Sequence, residues 1–220
     1  MGLWPSMRVV AYVRKLWIEG PVGRLEGALR VACPARAAAV LAHPHPLHGG
    51  TLHNPVVFHA DRALWHAGFT TLRFNFRGVG TSDGRHDDGR GEVDDVGCVA
   101  RWLRGIAPGL PLILVGYSFG VRCSLLHMLR DLDVAALVAI GLPLRSYPFP
   151  ELAELHRPYA VVQGSADELG PLEEVRTLLG GAHSEAPLYV VEGASHLFPG
   201  NAPQAARSVV EAASGLLSPG

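Results

Sequence analysis

Two serines in this sequence stand in a pattern that can create a nucleophile. The pattern Gly-x-Ser-x-Gly occurs as GTSDG around Ser82 and as GYSFG around Ser118. When a strand runs directly into such a serine and a helix leaves directly after it, the sharp turn exposes the hydroxyl to a substrate. The chain contains 26 glycines among 220 residues. One copy of the pattern can therefore arise by chance, and the flanking sequence must decide between the two serines.

The flanking sequence favours Ser118. The apolar run PLILV leads directly into GYSFG, and the helical run VRCSLLHML follows it directly. GTSDG instead comes after a strand that ends near Phe76, and it is followed by DGRHDDGRG, whose glycines and aspartates do not predict a helix. Those carboxylates would also oppose a developing oxyanion. We therefore predict Ser118 as the nucleophile and Ser82 as a loop serine. The alternative for Ser118 is a tight strand–helix turn without chemistry.

A serine hydroxyl becomes an effective nucleophile when a base removes its proton, and that base needs an acid to orient it. Behind a nucleophile on a strand–turn–helix, the three groups follow in the order Ser, Asp or Glu, His. The run YAVVQG leads towards Asp167 and Glu168, and PLYVVEG leads towards His196. These positions predict His196 as the base and Asp167 as the acid. Glu168 competes for the acid's role, and capping the loop before the next helix is a second role open to Asp167.

The negative oxygen of an acyl-transfer intermediate needs two backbone N–H donors. One is expected from Phe119, the residue after the nucleophile. The other is expected from the loop HPHPLHGG at 43–50, which follows the third strand. The prolines of that loop have no N–H to donate. His45 is therefore the predicted second donor of the oxyanion hole, with Leu47 as the alternative.

The same loop also raises a metal-binding alternative. Four histidines lie in or near it: His43, His45, His48 and His53. Imidazole is a common zinc ligand, but no acid or cysteine accompanies these four, and the prolines restrict the backbone. An oxyanion role explains the loop without a metal, so we expect neither a metal nor a cofactor.

The elements that must position these residues alternate between strand and helix. Apolar runs without polar alternation, and a hairpin pattern at the start, predict strands at 14–20, 24–33, 37–44, 70–78, 111–116, 135–141, 159–164 and 187–193. Helical spacing predicts helices at 54–68, 91–105, 119–132, 172–181 and 202–217. The result is an α/β fold with about eight mostly parallel strands and helices on both faces, in one domain over residues 1–220. Because Met7 is an alternative start, we expect residues 1–7 to be disordered or to precede the true start.

Composition excludes several classes of protein. Apolar residues make up 48% of the chain and charged residues 18%, which suits a packed core and not a disordered chain. The formal net charge of −1 predicts no nucleic-acid partner. Three scattered cysteines form neither a disulfide framework nor a zinc spacing, and no apolar run reaches the roughly 18 residues of a membrane span. We expect a soluble cytoplasmic protein with a small-molecule partner. The last helix or an edge strand is a candidate homodimer face.

The connector between the sixth and seventh predicted strands bears on the size of the substrate. This connector, at 142–157, is too short for a large helical cap. We therefore predict an open site with Tyr147, Phe149 and Leu152 near its rim. The alternative for these three side chains is ordinary packing of a connector.

Two longer motifs carry a resemblance to a known family. HPHPLHGG at 43–50 and FNFRGVGTSDG at 74–84 resemble the HPHPxxGG and FNFRGVGxSxG segments of small, single-domain predicted serine hydrolases of the α/β-hydrolase superfamily. The resemblance runs from about residue 14 to the end. It implies a triad of Ser118, Asp167 and His196, with His45 and Phe119 as oxyanion donors. It also implies that GTSDG belongs to a family loop and not to the nucleophile's turn.

The triad and the resemblance together predict a carboxylesterase-like enzyme that acts through an acyl-enzyme without a cofactor. The short connector, which leaves no room for a large cap, favours short- to medium-chain or small esters. In outline the chain also resembles dienelactone hydrolases. Those enzymes use a cysteine nucleophile, so Ser118 points away from their activity, and haloalkane dehalogenases would need an aspartate there. A thioesterase or acyltransferase with the same triad remains an alternative. So does a non-catalytic binding module on the same fold.

Overall fold

The computed structural model describes residues 13–152, 155–181 and 186–218. In these ranges strands and helices alternate along the chain as the sequence predicts. The strands are β1 (Val13–Gly20), β2 (Gly23–Arg30), β3 (Ala37–Ala42), β4 (Phe69–Phe74), β5 (Leu112–Tyr117), β6 (Val134–Ile140), β7 (Tyr159–Gly164) and β8 (Leu188–Val191). The helices are α1 (Pro55–His66), α2 (Arg90–Ile106), α3 (Phe119–Arg130), α4 (Leu172–Gly181) and α5 (Ala202–Leu216). Residues 1–7, the subject of the start-site prediction, lie outside the described ranges.

The strands form one sheet in the order β1-β2-β4-β3-β5-β6-β7-β8. β2 pairs antiparallel with both β1 and β4. Every neighbouring pair from β4 to β8 is parallel. The predicted α/β class, with about eight mostly parallel strands, is confirmed. Within the described ranges, every helix is too short or too polar to cross a lipid bilayer.

Helices cover both faces of this sheet, which explains its apolar strands. α1 and α5 contribute to the core on one face, and α2, α3 and α4 contribute to the core on the other. Successive side chains of a strand point to opposite faces. Along β3, therefore, Ala38, Val40 and Ala42 enter one core while Ala37, Ala39 and Leu41 enter the other. Because both faces are buried, polar alternation is absent from such strands.

The register of the parallel strands brings the loops after them to one edge. Ala42 of β3 pairs with Gly116 of β5, and Tyr117 of β5 pairs with Ile140 of β6. Gly164 of β7 pairs with Val191 of β8. The loops after β3, β5, β7 and β8 therefore leave the sheet at the same edge, where open α/β sheets bind their ligands.

A buried charge cluster ties α1 to the antiparallel part of the sheet. Asp61 of α1 is fully buried, and its Oδ2 accepts hydrogen bonds from Arg30 Nε at 2.7 Å and Arg73 Nε at 3.1 Å. Its Oδ1 accepts one from the Thr71 hydroxyl at 2.5 Å. One carboxylate thus holds β2, β4 and α1 together. A buried charge is tolerated where it is paired in this way.

We expect Asp61→Ala to lower the free energy of unfolding by about 3–5 kcal/mol, because two buried arginines would lose their counter-ion. Urea unfolding at pH 7 measures the change. Asp94→Ala is the matched control, since Asp94 pairs with Arg130 at 3.5 Å on the surface, and exposed pairs contribute about 0–1 kcal/mol. Equal losses in the two variants would contradict a structural role for the cluster.

Candidate active site

Ser118 occupies a strained turn between β5 and α3. Its φ of 54° and ψ of −116° lie in a region that non-glycine residues seldom adopt. A Cβ atom at Gly116 would lie 2.5 Å from the carbonyl oxygen of Gly120, and a Cβ at Gly120 would lie 2.3 Å from that of Ala42. Both flanking positions therefore require glycine. The turn presents the Ser118 side chain at the edge of the sheet where the loops meet.

The structure brings the three predicted triad side chains together. Ser118 Oγ lies 2.8 Å from His196 Nε2. On the other side of the ring, His196 Nδ1 lies 2.9 Å from Oδ2 and 3.0 Å from Oδ1 of Asp167. All three residues are buried. When Nδ1 carries the proton and donates it to the carboxylate, Nε2 is free to accept the serine proton.

Asp167 and Glu168 make different contacts with His196. Asp167 Oδ1 also accepts the backbone N–H groups of Leu169 and Gly170, at 2.9 and 3.0 Å. Asp167 therefore both faces the imidazole and caps its own loop, so its contacts are compatible with both predicted roles. Glu168 is exposed, and its Oε2 accepts the backbone N–H of His196 at 3.0 Å. That hydrogen bond lowers the pKa of Glu168, and it ties the backbone of His196 to the loop after β7.

Ser82 is a structural residue of the loop after β4. Its hydroxyl donates to the carbonyl oxygen of Asn75 at 2.8 Å and accepts the backbone N–H of Glu26 at 2.9 Å. The side chain thereby fastens this loop to β2. Neither a strand before it nor a helix after it adjoins Ser82, which agrees with its interpretation as a loop serine.

The loop after β3 adjoins the turn at Ser118. The imidazole of His45 lies 4.9 Å from the ring of Phe119, centroid to centroid. Phe119 is the first residue of α3, so its N–H has no acceptor within the helix. Burial, followed by the neighbouring His48 and His86, lowers the pKa of His45. The side chains of the two residues predicted as oxyanion donors thus contact each other next to the turn at Ser118.

His43 is a buried residue whose ring nitrogens contact backbone groups of the loops after β3 and β4. It is fully buried, its Nδ1 lies 2.6 Å from the carbonyl oxygen of Pro44, and its Nε2 accepts the Phe76 N–H at 3.2 Å. Burial lowers the pKa of His43 to about 4. A neutral ring that donates from Nδ1 and accepts at Nε2 fits both contacts.

The histidines of this loop do not assemble into a metal site. His45 and His48 stack with their ring centroids 4.6 Å apart, and both nitrogens of His43 face backbone groups. His53 is exposed. In the part of the chain that the structure describes, no group of three or more His, Cys, Asp or Glu side chains is arranged to hold a metal.

The three residues predicted near the rim of the site differ in their exposure to solvent. Tyr147 is half-buried, with its ring 6.2 Å from that of Phe119. Phe149 and Leu152 are only 3% and 1% exposed, and they belong to the hydrophobic core. Phe149 and Leu152 therefore pack as the alternative for this connector describes, whereas Tyr147 stays partly exposed beside Phe119.

Two residues that lie near the site were not predicted from the sequence. His86, from the loop after β4, has its ring 5.0 Å from that of His45 and 5.7 Å from that of Phe119. Gln163 lies inside β7, and its Nε2 donates to Asp167 Oδ2 at 2.8 Å. A polar residue within the otherwise apolar run YAVVQG was the available signal for Gln163. His86 has no comparable signal, because its loop lacks regular structure.

Known proteins resemble this chain over most of its length. The sequence model of a family described as alpha/beta hydrolase domain matches residues 35–209. An uncharacterised protein of Rickettsia prowazekii is 33% identical over 194 residues, which are 84% of this chain and 82% of the relative. A solved structure described as an alpha-beta serine hydrolase homologue, from Coxiella burnetii, is 36% identical. The match covers 92% of this chain and 98% of that one, with a TM-score of 0.84.

A second solved structure matches over the full length. It comes from Xanthomonas campestris and is described as a member of the a/b serine hydrolases without a lid. It is 32% identical, covers 100% of both chains and has a TM-score of 0.86. The similarity to serine hydrolases thus includes the fold from β1 to α5, together with the sequence.

The buried His43 should make stability sensitive to acid. In the unfolded chain a histidine takes up a proton below a pKa of about 6.5, whereas the folded protein resists protonation until about pH 4. This contribution to stability is present above pH 6.5 and is lost as the pH falls towards 4. Between pH 7 and pH 4.5 the loss should be about 2 kcal/mol, measured by urea unfolding. His43→Gln keeps a donor and an acceptor but cannot titrate, so its stability should fall less over this range. An identical fall in both proteins would contradict the assignment.

Substitutions of Asp167 and Glu168 should have different effects on the rate at which Ser118 reacts with a covalent probe. We expect Asp167→Asn to slow labelling by a fluorophosphonate about 10³-fold to 10⁴-fold, because an amide no longer selects the required imidazole tautomer. Glu168→Gln keeps an acceptor for the backbone N–H of His196 and should slow labelling less than about 10-fold. A larger effect of Glu168→Gln than of Asp167→Asn would make Glu168 the orienting acid.

Proposed function

The chain belongs to the α/β-hydrolase family, and from this premise we propose that it hydrolyses carboxylic esters through an acyl-enzyme on Ser118. The observation that carries the proposal is the continuous contact from Ser118 through His196 to Asp167. These residues come from three different loops. A binding module would have no need of a base and an acid aligned behind a strained serine, whereas acyl transfer needs both.

In the first step, His196 Nε2 accepts the proton of the Ser118 hydroxyl as the oxygen attacks the ester carbonyl. Asp167 stabilises the imidazolium that forms. The carbonyl oxygen becomes negative and accepts hydrogen bonds from the N–H groups of Phe119 and His45. Donors placed in this way contribute roughly 3–4 kcal/mol each in other hydrolases. The intermediate collapses when His196 returns its proton to the leaving alkoxide.

In the second step, water attacks the acyl-enzyme. His196 removes a proton from the water as it had from the serine, and the same two N–H groups stabilise the second tetrahedral intermediate. Collapse releases the carboxylic acid and returns the proton to Ser118. The chemistry of both steps is supplied by side chains and backbone amides of this chain.

The surroundings of the site favour small or medium apolar esters. The described part of the connector between β6 and β7 holds only one short 3₁₀ turn (Pro150–Leu152), and the Xanthomonas relative is likewise described as lacking a lid. Leu47, two residues from His45, is 70% exposed, and Leu197, directly after His196, is 71% exposed. An apolar substrate that covers part of these side chains gains about 25 cal/mol for each Å² removed from water. An open surface of this kind cannot enclose a long chain.

We expect the wild-type protein to hydrolyse p-nitrophenyl esters, with kcat/KM highest for short and medium acyl chains in a series from acetyl to palmitoyl. Ser118→Ala should lose at least about 10³-fold in kcat/KM, because the nucleophile is gone. Ser82→Ala is the matched control. It should keep its activity and lose about 1–2 kcal/mol of stability, because two hydrogen bonds disappear.

The alternatives give different results in the same series. A wild type that labels with a fluorophosphonate but leaves every ester intact would indicate a thioester or another specialised donor. Transfer to added alcohols in preference to water would indicate an acyltransferase. Failure of both labelling and hydrolysis, with no difference between wild type and Ser118→Ala, would leave the non-catalytic binding module.

A further inference from the structure

Gln163 is a polar side chain in a strand that is otherwise apolar. It is the penultimate residue of β7, whose other side chains are buried apolar groups, and its own exposure is 0%. Burying an amide costs free energy unless its polar atoms find partners. A leucine or valine at this position would pack in the core without burying polar atoms. The contacts of the amide must therefore explain why a glutamine is present.

Both N–H donors and the carbonyl oxygen of the Gln163 amide have partners. Nε2 donates to Asp167 Oδ2 and to the carbonyl oxygen of Gly170, each at 2.8 Å. Oε1 accepts the backbone N–H of Leu142, also at 2.8 Å. The reverse orientation of the amide would place Oε1 against two acceptors and Nε2 against a donor, so these partners determine the orientation. One side chain thereby joins the loops that follow β6 and β7.

The junction leaves no free space. A Cβ atom at Gly170 would lie 1.8 Å from the carbonyl oxygen of Leu142 and 2.8 Å from Gln163 Nε2. The loops after β6 and β7 therefore contact each other directly at Gln163. This close packing fixes the position of the Gln163 side chain relative to Asp167.

The contacts of the Asp167 carboxylate show what the glutamine adds. Oδ1 is held by the backbone N–H groups of Leu169 and Gly170 and also lies 3.0 Å from His196 Nδ1. Oδ2 has two partners among the described residues, Gln163 Nε2 and His196 Nδ1. Gln163 thus fixes the second oxygen and with it the plane in which the carboxylate meets the imidazole. A hydrogen bond donated to a carboxylate also stabilises its charge, which weakens its pull on the imidazolium.

We propose that Gln163 is a positioning residue for the Asp167–His196 pair, which it orients and whose basicity it moderates through its hydrogen bond to Asp167 Oδ2. This inference rests on the proposed function, because it concerns the reactivity of Ser118. Gln163 acts through Asp167 and does not itself contact the candidate nucleophile. Among the described residues, two other titratable groups contact His196: Glu168 accepts its backbone N–H, and the Tyr117 hydroxyl donates to its carbonyl oxygen at 2.8 Å.

The test is a double-mutant cycle with fluorophosphonate labelling of Ser118 as the readout, since labelling needs no knowledge of the natural substrate. Gln163→Met keeps the approximate volume and removes the donor. We expect it to slow labelling about 10-fold to 100-fold, the range found when hydrogen-bond partners behind functional ligands are removed from metal sites. In an Asp167→Asn background the same change should cost less than about 3-fold, because residues that act through one another are not additive.

The pH dependence of the labelling rate is the second readout. With the donor removed, Asp167 should hold the imidazolium more strongly, so the acid limb of the labelling rate should move to higher pH by about half a unit. Val161→Ala, in the core of the same strand, is the control for general loss of packing. It should lower stability without moving the acid limb.

Equal losses from Gln163→Met in both backgrounds, with an unmoved acid limb, would overturn the proposal and leave Gln163 a purely structural residue. If Gln163→Met does not fold, Gln163→Glu keeps the shape and the acceptor for Leu142. Its labelling profile should then differ from that of wild type, and a profile that superimposes would overturn the proposal. A wild type that labels but cleaves no ester would refute the proposed ester chemistry alone. A wild type that does not label would refute both.

Discussion

The close approach of β5, the turn at Ser118 and α3 is the constraint on which the site depends. Gly116 and Gly120 lie so near to each other and to the loop after β3 that a Cβ atom at either would overlap a backbone carbonyl. The strand can turn into the helix only if both positions are glycine and Ser118 accepts a positive φ. This geometry directs the serine side chain away from the core, and it brings the N-terminus of α3 beside His45. Candidate nucleophile and candidate oxyanion donors are therefore placed by one local packing requirement.

The parallel sheet supplies the remaining parts from separate strands. The triad candidates come from the loops after β5, β7 and β8, and β6 lies between β5 and β7 in the sheet. A carboxylate on such a loop needs support, because loops lack the regular hydrogen bonds of the strands that carry them. Gln163 gives that support from inside β7, and Leu142 extends it to the loop after β6. The strand, through Gln163, and the loop, through the N–H groups of Leu169 and Gly170, thus hold Asp167 together.

The buried carboxylates of the described residues differ in their partners. Asp61 and Asp95 are paired with arginines; Asp61 joins α1 to the sheet, and Asp95 joins α2 to the loop after β4. Glu92 faces His86 Nδ1 at 2.7 Å and accepts the backbone N–H groups of Asp87 and Gly89. Asp167 is held by amide N–H groups and by His196, so in the described residues the imidazole is its only possible cationic partner. An arginine against Asp167 would compete with the imidazolium for its charge. Asp167 differs from Glu92 in that its histidine also lies 2.8 Å from the Ser118 hydroxyl, which is the arrangement that proton transfer from a serine needs.

Local patterns in the sequence determined the alternation of elements, the choice of Ser118 over Ser82, and the loops that carry Asp167 and His196. Each depends on residues that adjoin one another along the chain, since a strand, a turn and a helix leave contiguous signals. The sequence predicted Asp167 as the acid but left Glu168 open, and the tertiary structure turns the Asp167 carboxylate towards the imidazole and that of Glu168 towards the backbone of His196. Neighbouring residues on a loop differ in such directions, which a local pattern does not record. The tertiary structure also moved Phe149 and Leu152 into the core, and it revealed Gln163, His86 and the Asp61 cluster. The contacts of His86 and Asp61 join separate elements, and the Gln163–Asp167 contact, although only four residues apart, depends on the path of the loop after β7. No local pattern records such packing.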